Sequence, residues 1–124
     1  MPEPFDPAAL RYDDRGLIPC IAQEVDGTVL MMAWMNAEAV RRTLVDRRVT
    51  YWSRSRDGFW VKGATSGNVQ ELVDLRVDCD ADCLLAVVRQ SGPACHTGRR
   101  SCFYTSVSDG RPVELLQPMS EATS

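Results

Sequence analysis

Two apolar runs bracket Asp26-Gly27: Leu17-Ile18-Pro19-Cys20-Ile21-Ala22 before it and Thr28-Val29-Leu30-Met31-Met32-Ala33-Trp34 after it. An Asp-Gly pair between such runs is a tight-turn signal, so this stretch predicts a β-hairpin. Asn36 can then cap a helix from Ala37 to about Arg47, with Ala37, Val40, Leu44 and Val45 along one side. Glu38 in its first turn and Arg47 and Arg48 at its end suit the helix dipole. Val49 to Ser53 reads as a strand, and residues 54–69, punctuated by Gly58, Gly63 and Gly67, read as loop. In residues 70–79 the period is two, with Val73, Leu75, Val77 and Cys79 on one face and Asp74, Arg76, Asp78 and Asp80 on the other. Cys83 to Val88 predicts a short buried strand, Ser91-Gly92-Pro93 a turn, and Cys102 to Val107 a further strand. Residues 1–14, with their three prolines, are expected to be a loose arm, 15–116 a single domain, and 117–124 a frayed tail. Several strands and one helix make the fold class α+β and β-rich.

Composition narrows the class further. At 124 residues, 44% hydrophobic and 25% charged, the chain is one globular domain's worth and is not disordered. No apolar run approaches the ~18 residues of a membrane span, so no membrane partner is expected. Met1-Pro2-Glu3-Pro4-Phe5-Asp6-Pro7 has neither the basic region nor the apolar stretch of a signal peptide, which implies a cytoplasmic protein. The net charge of −3 argues against nucleic acid as a partner. Its distribution is uneven: residues 41–62 carry seven basic side chains against two acidic, and 71–82 carry five acidic against one Arg. A positive stretch beside a negative one suits a small phosphorylated ligand next to a metal cation; two solvated faces would give the same counts.

The densest chemistry lies in Asp78-Cys79-Asp80-Ala81-Asp82-Cys83. In an extended chain Asp78, Asp80 and Asp82 would share one face and Cys79 the other. Three crowded carboxylates repel, and a hard divalent cation such as magnesium relieves them; a wet edge strand is the plain alternative. An EF-hand is excluded, because counting from Asp78 its glycine position holds Cys83 and its last position Arg89. Five cysteines in an expected reducing compartment do not suggest disulfides, and four fall within 24 residues, beside the only histidine, His96. Cys79, Cys95 and Cys102 offer three soft donors for zinc, with Cys83 or His96 as a fourth. Four protein ligands would close the metal into a structural site, whereas three leave room for a water whose pKa falls to about 7. The spacing matches neither a zinc finger nor the zinc deaminase pattern; inert buried thiols would be the alternative.

Lys62, the only lysine, sits in Trp60-Val61-Lys62-Gly63-Ala64-Thr65-Ser66-Gly67-Asn68. Its glycines, hydroxyls and backbone N–H groups could ring a phosphate, although the order differs from a P-loop and a tight surface turn would look the same. Of Trp34, Tyr51, Trp52 and Trp60, most are expected in the core, and one could stack on a heterocycle.

Taken in order, six blocks resemble the phosphoribosyl-AMP cyclohydrolase family of histidine biosynthesis: Gly16 to Pro19, Val29 to Asn36, Tyr51 to Arg56, Trp60 to Asn68, Asp78 to Asp82, and Cys95 to Gly98 with Ser101 to Tyr104. The resemblance implies a small barrel-like sheet core with helix packing, in a homodimer whose zinc site lies at the subunit interface. It implies zinc at Cys79, Cys95 and Cys102, magnesium at Asp78, Asp80 and Asp82, and no ligand role for Cys83. The activity implied is hydrolytic opening of the adenine ring of phosphoribosyl-AMP at the C6–N1 bond by zinc-activated water. On that reading His96 shuttles protons or orients the site, magnesium helps to hold a phosphate, and Trp52, Arg54, Lys62, Thr65, Ser66 and Gly67 bind substrate. The pyrophosphohydrolase domain fused to some family members is expected to be absent. A non-enzymatic zinc-stabilised binding module is the competing reading, and it requires Cys83 as a fourth thiol.

Overall fold

The computed structural model describes residues 4–119. The predicted hairpin forms as β1 (Ile18–Glu24) and β2 (Val29–Met35), joined through Gly27, whose φ of +98° a glycine adopts freely. Helix α1 (Ala37–Asp46) starts where Asn36 accepts a hydrogen bond from the Ala39 N–H. It stops at Arg47, which takes the left-handed conformation. Its buried side is Ala39, Val40 and Thr43; Val45, expected inside, is exposed.

β3 (Thr50–Ser53) follows, then β4 (Gly58–Val61), inside the stretch expected to be loop. β4 pairs antiparallel with β3, setting Tyr51 opposite Trp60 and Trp52 opposite Phe59. β5 (Gln70–Val77) and β6 (Leu84–Gln90) complete a six-stranded sheet of order β4-β3-β2-β1-β6-β5. Only β1 and β6 run parallel. The strand expected at 102–107 shrinks to β7 (Thr105–Ser106), because its partner β8 (Val113–Glu114) is equally short.

The sheet curls. An isolated bridge joins Arg48 to Glu71, and Val49 N–H reaches Gln70 O at 3.1 Å, so the entry to β3 meets the start of β5. The result is a half-barrel around Ile18, Cys20 and Ala22 of β1, Leu30 and Met35 of β2, and Leu84, Ala86 and Val88 of β6. Ala39 and Val40 bring α1 onto the same core. Tyr51 is fully buried, and its hydroxyl donates to Gln70 Oε1 at 2.7 Å.

β5 departs from strict alternation. Its register against β6 slips between Leu72 and Asp74, a β-bulge at Val73. Before the bulge Gln70 and Leu72 are buried; after it Leu75 and Val77 lie opposite buried Ala86 and Leu84. The N-terminal arm is docked rather than loose across its described part. Leu10 joins the core, Arg11 N–H donates to Ala81 O at 2.7 Å, and Pro7–Ala9 form a 3₁₀ turn. Of the expected tail, residues 120–124 lie outside the described residues. No helix among the described residues is long and apolar enough to cross a membrane.

Candidate functional site

Beyond β6 the chain makes a tight loop that carries two of the three candidate zinc thiols. Cys95 N–H donates to Arg99 O, and Gly98 N–H to Cys95 O, at 3.1 and 3.0 Å. The return leg is pinned to β2, where Ser101 Oγ donates to Val29 O at 2.7 Å and Cys102 N–H to Leu30 O at 2.7 Å. Arg99 ties the C-terminal segment to this loop through Leu116 O at 2.9 Å and Glu114 at 3.0 Å.

These restraints leave the Cys95 and Cys102 thiols hydrogen-bonded to each other. Burial would raise the Cys95 thiol, but the Thr97 hydroxyl and N–H, the Cys102 thiol and the Arg99 charge together bring it below its ordinary value. Cys102 is pushed up to about 11, first by burial and then by neighbouring Cys95. His96 is exposed beside Cys95.

The acidic segment is not extended, contrary to the expectation of three carboxylates on one face and a thiol on the other. β5 ends at Val77, Ala81 takes φ +62°, and its N–H closes a turn on Asp78 O at 2.8 Å. Turning brings Cys79 to the same side as its neighbours. Among the described residues, Asp78, Cys79 and Asp80 form the one group of three metal-donor side chains whose ligand atoms lie within 4.8 Å of one another. A hydrogen bond with Asp78, then burial and the charges of Asp78 and Asp80, raise the Asp82 carboxyl. A cation relieves that repulsion, so the oxygen donors of this turn fit a hard divalent ion.

Cys79 therefore does not join Cys95 and Cys102 within one chain. Cys83, half-buried, is not in the metal-donor group; Asp78 and Asp82 act on it electrostatically, and it acts on buried Cys20. A four-cysteine cage is thus not formed by a single chain.

Lys62 connects the thiols to a cleft. Its Nζ donates to Ala94 O at 2.6 Å, immediately before Cys95. Burial lowers its pKa, while the nearby Cys102 and Cys95 act the other way. Sequence reasoning missed this bond to the thiol loop, because 32 positions separate its ends. Lys62, Trp60, Arg56, Thr65 and Ser66 line a cleft of about 480 Å³. Gly63 permits its shape: at φ +82° an added Cβ would lie 2.3 Å from the Asn68 carbonyl carbon. Gly67, at φ +83°, closes the loop by donating to Gly63 O at 2.8 Å.

Trp52 and Arg54 are not in that cleft. They line an adjoining open groove with Trp34, and the Arg54 guanidinium lies 4.8 Å from the Trp34 ring centroid. Of the four aromatics expected mainly in the core, only Tyr51 is fully enclosed.

Residues 31–104, from β2 to the end of the thiol loop, match the family described as phosphoribosyl-AMP cyclohydrolase. The chain belongs to the phosphoribosyl-AMP cyclohydrolase family. A protein named phosphoribosyl-AMP cyclohydrolase from Jannaschia sp. (strain CCS1) is 76% identical over 115 residues, 92% of this chain and 97% of its own length. Proteins of the same name from Dinoroseobacter shibae and Ruegeria pomeroyi are 71% and 70% identical, over 93% and 94% of this chain and 98% of their own lengths. The chain is accordingly an enzyme of the cyclohydrolase family. The matched span contains both donor turns and the Lys62 cleft.

Proposed function

We propose that this cyclohydrolase family member acts in the cytoplasm on phosphoribosyl-AMP. It hydrolyses the C6–N1 bond of the adenine ring and yields the formimino-aminocarboxamide ribotide of histidine biosynthesis. The observation that carries the reading is Lys62, which lines the cleft and also acts on the paired Cys95 and Cys102 thiols. A nucleotide seated in the cleft would meet soft metal donors at its edge.

Two adjacent thiols suit zinc, but a catalytic zinc takes three protein ligands. The third is Cys79 of a second copy, since Cys79 lies apart from the pair within one chain. Val77, 43% exposed beside the acidic turn, and Phe103, 58% exposed beside Cys102, supply apolar surface next to each half-site. A two-fold homodimer would complete two such sites at once. Zinc held there by three thiolates supplies a Lewis acid with an open corner at which the pKa of water falls towards about 7. Magnesium held by Asp78, Asp80 and Asp82 neutralises their repulsion and helps to hold a substrate phosphate.

The side chains do the rest. Lys62, Thr65, Ser66 and the Gly67 turn hold a 5′-phosphate, while Trp52 offers a stacking face in the adjoining groove. Water adds to C6, which the N1 substituent makes electron-poor, and the C6–N1 bond breaks. His96, with an ordinary pKa near 6.5 for its residue type, carries the proton from that water to the departing N1.

Mixed dimers test the shared site. Cys79→Ser and Cys102→Ser enzymes should each lose zinc and turnover. Co-expressed, random pairing makes half of the dimers mixed with one intact site in two, restoring about a quarter of wild-type activity. Verified mixed dimers without activity, or full turnover by zinc-free wild-type protein, would overturn the reading.

A further inference from the structure

Beyond the Lys62 cleft the surface carries a second basic end. The cleft opens into the groove of about 600 Å³, sharing Ser53, Ser55 and Trp60 with it. That groove runs on into a hollow of about 240 Å³, sharing Arg15, Trp52 and Arg54. Lys62 thus stands at one end of a continuous path, Arg15 and Arg54 at the other, with tryptophans between.

The charges at the far end are uncommitted. Arg41, Arg42, Arg76, Arg89, Arg99 and Arg100 all pair with carboxylates. Arg15 and Arg54 are exposed, and among the described residues neither makes an ion pair. Asp57 is the one carboxylate lining the hollow, so two positive side chains face one negative. Both arginines are presented from fixed points. Arg54 rests on the Trp34 ring. The Asp13 carboxylate accepts from the Arg15 and Leu17 N–H groups, each at 2.9 Å, which sets the turn bearing Arg15. Positioned guanidiniums without carboxylate partners suit a phosphate, which they bind by charge-assisted, often bidentate hydrogen bonds.

We infer that Arg15 and Arg54 form a second phosphate subsite, so that the groove binds a nucleotide bearing two ribose phosphates by both ends. This rests on the proposed substrate, which has one phosphate on each ribose. Lys62, Thr65 and Ser66 take one phosphate, and Arg15 with Arg54 take the other. The purine lies across the tryptophans, and a mononucleotide can engage only one end. Arg15 precedes the family-matched span of residues 31–104, so nothing in that match assigns it a role.

The test is a cycle between side chain and phosphate, using phosphoribosyl-AMP and two analogues, each lacking one phosphate. With the intact substrate, Arg15→Gln should raise KM about ten-fold or more, with kcat within about two-fold and zinc content and melting temperature unchanged. Arg15→Lys should recover part of the loss. Against the analogue lacking the far phosphate Arg15→Gln should have no further effect, whereas Ser66→Ala should lose its effect only against the other analogue. A wild-type KM in Arg15→Gln, or coupling of Arg15 and Ser66 to the same phosphate, overturns the subsite while leaving the activity standing. A wild-type enzyme that does not open the ring removes both proposals.

Discussion

Lys62→Met isolates the link between the cleft and the thiol loop. The Lys62 backbone is fixed by its N–H bond to Val49 O at 2.9 Å, and the side chain spans to Ala94 O at 2.6 Å. Methionine keeps much of the apolar stem and removes the donor. A hydrogen bond from a charged group contributes about 1.5–3 kcal/mol, and Ala94, only 2% exposed, offers its carbonyl little water in exchange. At about 1.4 kcal/mol per ten-fold, the tether is worth ten- to a hundred-fold in an equilibrium. Because Ala94 adjoins Cys95, the loss should fall on zinc affinity, in the range of about 10–100-fold seen when groups behind metal ligands are removed. Competition of zinc-loaded dimer against a chromophoric chelator measures it, with urea unfolding of the same samples as control. A lysine that only contacts phosphate would raise KM and leave zinc affinity at the wild-type value. That result would refute the tether.

Gly63→Ala should cost at least about 2 kcal/mol, since a left-handed alanine carries roughly 1–2 kcal/mol of strain before any clash. Here the new Cβ would also lie 2.3 Å from Val69 N, a backbone atom that cannot swing aside. Urea unfolding checks it, and a loss below about 0.5 kcal/mol would contradict the loop geometry. Glu38 gives a pH-dependent outcome: hydrogen bonds from Arg41 and then Arg42 hold its carboxyl at about 2, below an ordinary 4.5. A depressed carboxylate stabilises the fold above 4.5 and loses that contribution as pH falls towards about 2. Glu38→Gln should therefore melt below wild type at pH 7, with the gap closing in acid; a constant gap across that range would refute the assignment.

What could be read from the chain was set by local rules. The Asp26-Gly27 hairpin and the Asn36-capped helix follow from turn chemistry and capping within a few residues, and both formed. β4 was hidden because Gly58-Phe59-Trp60-Val61 is short and surrounded by glycine punctuation. Its signal was the pair of aromatics facing Tyr51-Trp52 across the Asp57-Gly58 turn. The acidic turn was misjudged for a different reason: alternation was carried past Val77, where the chain bends and Ala81 adopts a positive φ. Candidate metal donors could be named by residue type, yet which of them meet depends on contacts that span the fold. Cys102 is placed by Leu30 O, and Lys62 reaches Ala94 O across 32 positions. The role of Arg15 was not visible at all, since only the folded groove brings it to Trp52 and Arg54.

The extra residue at Val73 has a bearing on how this chain can vary. Side chains in a strand point up or down by count, so everything from Asp74 to the metal-donor turn inherits its orientation from that one irregular step. Exchanging Val73 for another residue keeps the count. Removing it would present the Asp78–Cys79 pair with its two members interchanged, whereas shortening the turn between β3 and β4 would alter only a connection. Length, more than identity, is what selection has to guard along β5.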